Sequence, residues 1–176
     1  MSQIKVNSIV PVGGLPSGAS GGIIQTVQTV KTDVFSSTNG RTFTDVTGLT
    51  VTITPSSNSS KILIIPALQL TSRSGQRHGY RLVRGSTVIG VADAADDRIQ
   101  YTQQEGNVTT DANIASHTFL LLDSPATTSA TTYKVQIRNE STSSAYPIYI
   151  NRSHDDSNNA TYGRSASSIT AFEVST

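Results

Sequence analysis

The chain has 176 residues, of which 13 are Lys or Arg and 12 are Asp or Glu, for a net charge of +1. Cysteine is absent, which excludes a disulfide scaffold, a thiol nucleophile and a thiolate metal site. Charged residues make up only 14%, so no basic footprint for nucleic acid is present. The difference is filled by 25 Ser and 24 Thr. Valine and isoleucine recur among them at even spacing, which argues against Ser/Thr-rich disorder. The longest apolar run, 62–68, contains Pro66 and falls far short of the roughly 18 residues of a membrane-spanning helix. The first twelve residues lack the basic and long apolar regions of a signal peptide.

Residues 1–22 stand apart. Five Gly and two Pro between Pro11 and Gly22 cannot supply a core element. The segment reads as a flexible tail or as an arm that orders on a partner. Ile4, Val6, Ile9, Val10 and Leu15 would be wasted on a free tail, so they are the candidate attachment residues.

From residue 23 onward the pattern is that of strands. Residues 24–35 come first, and Asn39-Gly40 suits a type I′ hairpin turn. In 49–54, Leu49, Val51 and Ile53 alternate with Thr50, Thr52 and Thr54, a strand with one dry and one wet face. Residues 61–70 follow, then 79–84, with Tyr80 and Leu82 opposite Arg81 and Val83. Gly85-Ser86 makes a tight turn into 87–92. Further strands are predicted at 99–103 and 116–122, and at 131–139 with Tyr133, Val135 and Ile137 inward. The last two are 145–151, placed at a sheet edge because Pro147 cannot donate to a ladder, and 168–174. The runs 62–65 and 119–122 are apolar on both faces and read as central, covered strands. About ten short strands with frequent turns define an all-β antiparallel β-sandwich, a jelly roll over residues 23–176, with an extended N-terminal arm. A strand, a Thr-Pro or Ser-Pro step and a small polar loop occur twice, around Pro55 and Pro125.

Several stretches carry a resemblance. Ile4-Lys5-Val6-Asn7-Ser8-Ile9-Val10-Pro11, the segment 18–25, Thr42-Phe43-Thr44-Asp45-Val46-Thr47-Gly48-Leu49, Arg81-Leu82-Val83-Arg84-Gly85-Ser86, 123–129 and 155–163 resemble a family of bacteriophage virion proteins. These are fibre-like structural proteins, many from phages of cyanobacteria and other aquatic bacteria. The resemblance implies a β-rich fibre or knob in the virion, homotrimeric and joined to other virion proteins through the N-terminus. A chain without Cys and with one Met also suits a particle that has no reductase to repair it.

Chemistry-bearing residues are few. His78, near Arg73, Arg77 and Arg81, suggests contact with a phosphate or an acidic sugar, against the reading of a solvated loop. His117 reads as a structural strand residue. In 151–164, Tyr149, His154, Asp155, Asp156, Asn158, Asn159 and Tyr162 are of the types that bind sugar hydroxyls and sugar faces, against the reading of Asx-rich turns. Spacing in the same loop matches no EF-hand. Asp93, Asp96 and Asp97 lack the partner that glycosidase chemistry needs. The expected function is therefore a non-enzymatic virion component with no cofactor, no metal, no nucleic acid and no membrane insertion. The alternatives are a receptor-binding module for host surface glycan and a capsid decoration protein.

Overall fold

A computed structural model describes residues 22–106 and 109–175, and the attachment residues proposed in the arm lie outside that range. Among the described residues, twelve strands form two antiparallel sheets. They are β1 (Ile23–Lys31), β2 (Phe35–Ser37), β3 (Thr44–Ile53), β4 (Lys61–Ser72), β5 (His78–Arg84), β6 (Thr87–Ile89), β7 (Gln103–Glu105), β8 (Ala115–Thr118), β9 (Leu121–Asp123), β10 (Thr131–Asn139), β11 (Ile148–Ile150) and β12 (Ser167–Val174). The first sheet runs β1-β12-β4-β11-β2, with β8 and β9 also paired to β4; the second runs β3-β10-β5-β6, with β7 also on β5. If β8 and β9 are taken as one interrupted strand, β6 and β7 as another, and the short β2 and β11 are set aside, the order is 1-8-3-6 over 2-7-4-5. Those are the two nested Greek keys of a jelly roll.

The dry faces meet as predicted. Leu49, Val51 and Ile53 of β3, Ile62, Ile64, Leu68 and Leu70 of β4, and Tyr133, Val135 and Ile137 of β10 fill one core. The wet face is equally regular: Thr52 and Thr132 sit opposite each other and share a 2.8 Å hydroxyl bond. The two Pro-bearing loops both carry the chain between sheets, from β3 to β4 and from β9 to β10. A link between the layers closes near the second of them. Tyr133 donates to Asp123 at 2.7 Å, and the same carboxylate takes Arg84 at 2.7–2.8 Å.

Five expectations are corrected. Strand β3 begins earlier, at Thr44, and the register with β10 shifts between Lys134 and Gln136. Gly48, at φ 80°, lies in that irregularity, which lets Val46 and Leu49 both point inward although their parity differs. Asn39-Gly40 makes no hairpin, because β2 and β3 belong to different sheets. Strand β11 is not an edge: it lies between β4 and β2, and Pro147 precedes its first residue, where no ladder donor is needed. The segment 119–122 is not covered, since Leu120 is 62% and Leu122 55% exposed. It is also broken, into β8 and β9. The break lies opposite Ile65 and Pro66 of β4, and proline has no N–H to offer a strand there. The predicted strand at 99–103 is instead the end of an excursion that leaves the β5 edge after Ile89 and returns at Gln103. There the Thr102 hydroxyl accepts the Leu82 N–H at 3.1 Å.

Strand β4 serves two partners along one edge, β12 at residues 61–67 and β11 at 70–72. Asn151, fully buried, fills the hand-over. Its backbone N–H donates to Gln69 O at 2.9 Å, and its Nδ2 donates to Lys31 O at 2.8 Å and Asp33 O at 2.9 Å. Ser167 Oγ donates to Asn151 Oδ1 at 2.6 Å and accepts the Gln69 N–H at 2.9 Å. Asn151 has φ 69°, a left-handed conformation that Asn tolerates better than branched residues. Asn151→Leu is expected to cost roughly 3–5 kcal/mol in urea unfolding, from orphaned buried polar groups and backbone strain. Asn151→Gly, which keeps the backbone conformation, is expected to cost less.

Glu173 at the end of β12 is 2% exposed and accepts Ser56 N–H at 2.6 Å and Ser56 Oγ at 2.7 Å. Burial alone would raise its carboxyl, but donors from Ser56, Ser60 and the loop backbone outweigh it and hold the group below the usual range. A depressed folded-state value stabilises above the unfolded value and is lost as pH falls through the folded one. Glu173→Gln is therefore expected to cost roughly 1–3 kcal/mol at pH 7. That difference should shrink below about pH 4, measured by paired urea titrations.

Candidate functional site

The loop that follows β11 is the richest polar segment in the sequence, and several of its donors and acceptors are used within it. Asp155 Oδ1 accepts Ser157 N–H at 3.1 Å and Ser157 Oγ at 2.5 Å. Asn159 Oδ1 accepts Thr161 N–H and Oγ1, both at 3.0 Å. These are Asx turns, in which a short side chain replaces a backbone partner. Asp156 pairs with Arg152 at 2.9 Å and with Arg164. The hydrogen bond from Arg164 is the main cause that holds the Asp156 carboxyl below its usual range. Tyr149 is 9% exposed; the Arg152 guanidinium lies 4.2 Å from its ring centre and the His154 ring stands 5.7 Å away. Asn158 is exposed, and Tyr162 is half-buried against Asp155. The predicted sugar-binding residues thus lie in this loop, except Tyr149, which is in β11.

The other candidates are dispersed. Asp93, Asp96 and Asp97 are exposed on the excursion between β6 and β7, with Arg98 3.5 Å from Asp96. The basic patch divides: Arg81 stacks 3.8 Å over Phe43 and Arg73 lies 4.9 Å over Tyr146. Arg77 joins Arg41 and Arg98 around an open cleft of about 620 Å³, floored by Tyr101 and Glu140. Tyr101 donates to Glu140, which also takes Arg138 at 3.0 Å.

His78 leaves the patch entirely and is fully buried. It stands directly opposite Glu105 across the β5–β7 ladder, and its Nε2 is 3.4 Å from Glu105 Oε2. His117, from β8 of the other sheet, brings its Nε2 to 3.3 Å from the same oxygen. On the far side of the ring, His78 Nδ1 meets Ser72 Oγ at 2.9 Å. Burial, with His117 adding to it, pushes the His78 imidazole down to about 3. Burial also lowers His117, against the opposing pull of Glu105. Burial therefore favours the neutral form of both rings. The sequence held no signal for this trio, because its members come from three strands in two sheets with no motif spacing.

Fold and site together define a class, a jelly-roll sandwich with a buried polar trio and a self-bonded Asx loop. No family model matches the chain, and no curated protein matches it. Among solved structures it is similar to that of infectious bursal disease virus, Gx strain, at a TM-score of 0.40 and 14% identity. The similarity covers 93% of this chain and 42% of that one. The chain thus spans less than half the length of that neighbour, and a likeness at this level assigns no function.

Loop rigidity is testable. Asp155→Ala removes the acceptor for the Ser157 N–H. Amide exchange at Ser157 is expected to speed up while exchange in β4 and β12 stays unchanged.

Proposed function

We propose that the chain is a non-enzymatic structural component of a phage virion, a trimeric fibre or fibre-like part anchored by residues 1–22. The observation that carries this reading is the outer face of the first sheet. Leu122, Leu63 and Phe172 are neighbours across β9, β4 and β12 on that face. Leu122 is 55% exposed, and Leu63 and Phe172 are half-buried. Leu120 and Ile65 extend the apolar strip, and Leu120 is 62% exposed. A contiguous apolar strip on a sheet face marks a surface built to be covered, and a second copy of the chain meets it with the same low charge. The resemblance of the N-terminal stretch to phage fibre proteins supplies the arm and the three-fold symmetry.

Light scattering coupled to gel filtration is expected to give a trimer for the full chain. Leu120→Asp with Leu122→Asp should give a monomer of unchanged circular dichroism, since both side chains are exposed in the single chain. A wild-type monomer at tens of micromolar would sink the trimeric reading. Deleting residues 1–22 should leave the sandwich folded and abolish incorporation into particles; full incorporation of the truncated chain would remove the arm from the proposal.

One observation favours a second reading, receptor binding. The cleft lined by Arg41, Arg77 and Arg98 suits a carboxylated or sulfated sugar. On a glycan array the trimer should then retain acidic glycans only, with retention lost in Arg77→Ala.

A further inference from the structure

We propose that His78, Glu105 and His117 form a binding site for one divalent transition-metal ion of the zinc type, which staples the two sheets together. The ligand atoms of the three residues all lie within 4.8 Å of one another. His78 Nε2, Glu105 Oε2 and His117 Nε2 are each buried and without a hydrogen-bond partner. A fully buried imidazole nitrogen aimed at a second nitrogen and a carboxylate oxygen is costly unless something joins them.

An ion pair is a poor answer. It needs a protonated ring, and a charge on the fully buried His78 ring would be taken out of water. Two neutral imidazoles and a carboxylate are instead the protonation states in which these groups bind metals.

The geometry fits an ion. Ligands about 2.1 Å from a metal at tetrahedral angles stand about 3.4 Å apart. The two nitrogen-to-oxygen separations are 3.4 and 3.3 Å. Ser72 supplies the outer support that metal-bound imidazoles use, since its Oγ fixes the His78 ring through Nδ1. With Nδ1–H donating to Ser72, the Nε2 lone pair faces the site. Tyr80 borders the trio edge-on, its ring centre 6.0 Å from that of His117, and its hydroxyl is spent on Gln103 at 2.9 Å. Two nitrogens and one oxygen suit Zn²⁺, Fe²⁺ or Co²⁺ over Ca²⁺, which takes six to eight oxygens. Three protein ligands leave one position for water. His78 and Glu105 belong to one sheet and His117 to the other, so a bound ion ties the layers where a chain without cysteine has no covalent means.

The test uses the untagged full chain, stripped with a chelator and then titrated with Zn²⁺ or Co²⁺. We expect close to one ion per chain by elemental analysis and ligand-field bands for Co²⁺ in the visible. Zn²⁺ at a hundredfold excess over its dissociation constant should raise the thermal midpoint by roughly 5–10 °C. Glu105→Gln and His117→Gln keep side-chain size and should weaken Zn²⁺ binding by more than about tenfold, with metal-free midpoints near that of wild type. Should either variant fail to fold, stoichiometry and the Co²⁺ spectrum of the wild-type chain still decide. Less than about a tenth of an ion per chain would overturn the proposal, as would equal affinity in a folded Glu105→Gln variant.

Discussion

One buried amide lets a single long strand serve two partners. Strand β4 is twelve residues long, and neither β12 nor β11 covers its whole edge. At the gap, Gln69 would be left with a bare N–H and C=O inside the molecule. Asn151 and Ser167 take both and connect them to the backbone at Lys31 and Asp33. Each unsatisfied group in such a place costs about 1–3 kcal/mol. Without this junction the edge of β4 between its two partners would carry unpaired backbone groups. The left-handed backbone at Asn151 turns the chain out of β11 into the polar loop, so the same residue that closes the sheet also launches the Asx turns.

Much of this architecture was legible, and the reason is period two. Thr50, Thr52 and Thr54 mark a wet face because a hydroxyl on a β-branched carbon suits a strand in water. Tyr133, Val135 and Ile137 mark the dry one. Legibility failed where the period was interrupted or where a residue type had two uses. Val46 and Leu49 fall out of phase because Gly48 absorbs the difference in an irregularity that alternation cannot encode. Leu120 and Leu122 read as core because apolar residues report burial in general, without saying whether the molecule or a neighbour provides it. Asn151 was invisible among many loop asparagines, since nothing local separates a turn former from a buried junction. His78, Glu105 and His117 meet only through topology, when β7 returns to β5 and β8 crosses above them.

The distribution of polar groups bears on function. Charge in this chain is concentrated in contacts that are already made: Arg84 with Asp123, Arg152 and Arg164 with Asp156, Lys134 with Asp45 at 2.7 Å. Neutral hydroxyls cover much of the rest. A surface of that kind is wet but weakly repulsive, which favours close approach of identical copies. Apolar groups gather instead on the outer face of the first sheet, beside the edge formed by β8 and β9.

That edge is discontinuous because of Pro66. A strand from another molecule would find two short stretches of free backbone there, separated at Phe119 and Leu120. The opposite edge, β1, is nine residues long and pairs with β12 along nearly all of it. The two borders of the sheet are therefore mismatched in length and continuity. An unbroken strand from a neighbour would therefore find no full-length partner along the β8–β9 border. A single proline in a central strand thus leaves one border of this weakly charged, threonine-rich sheet without a continuous run of free backbone.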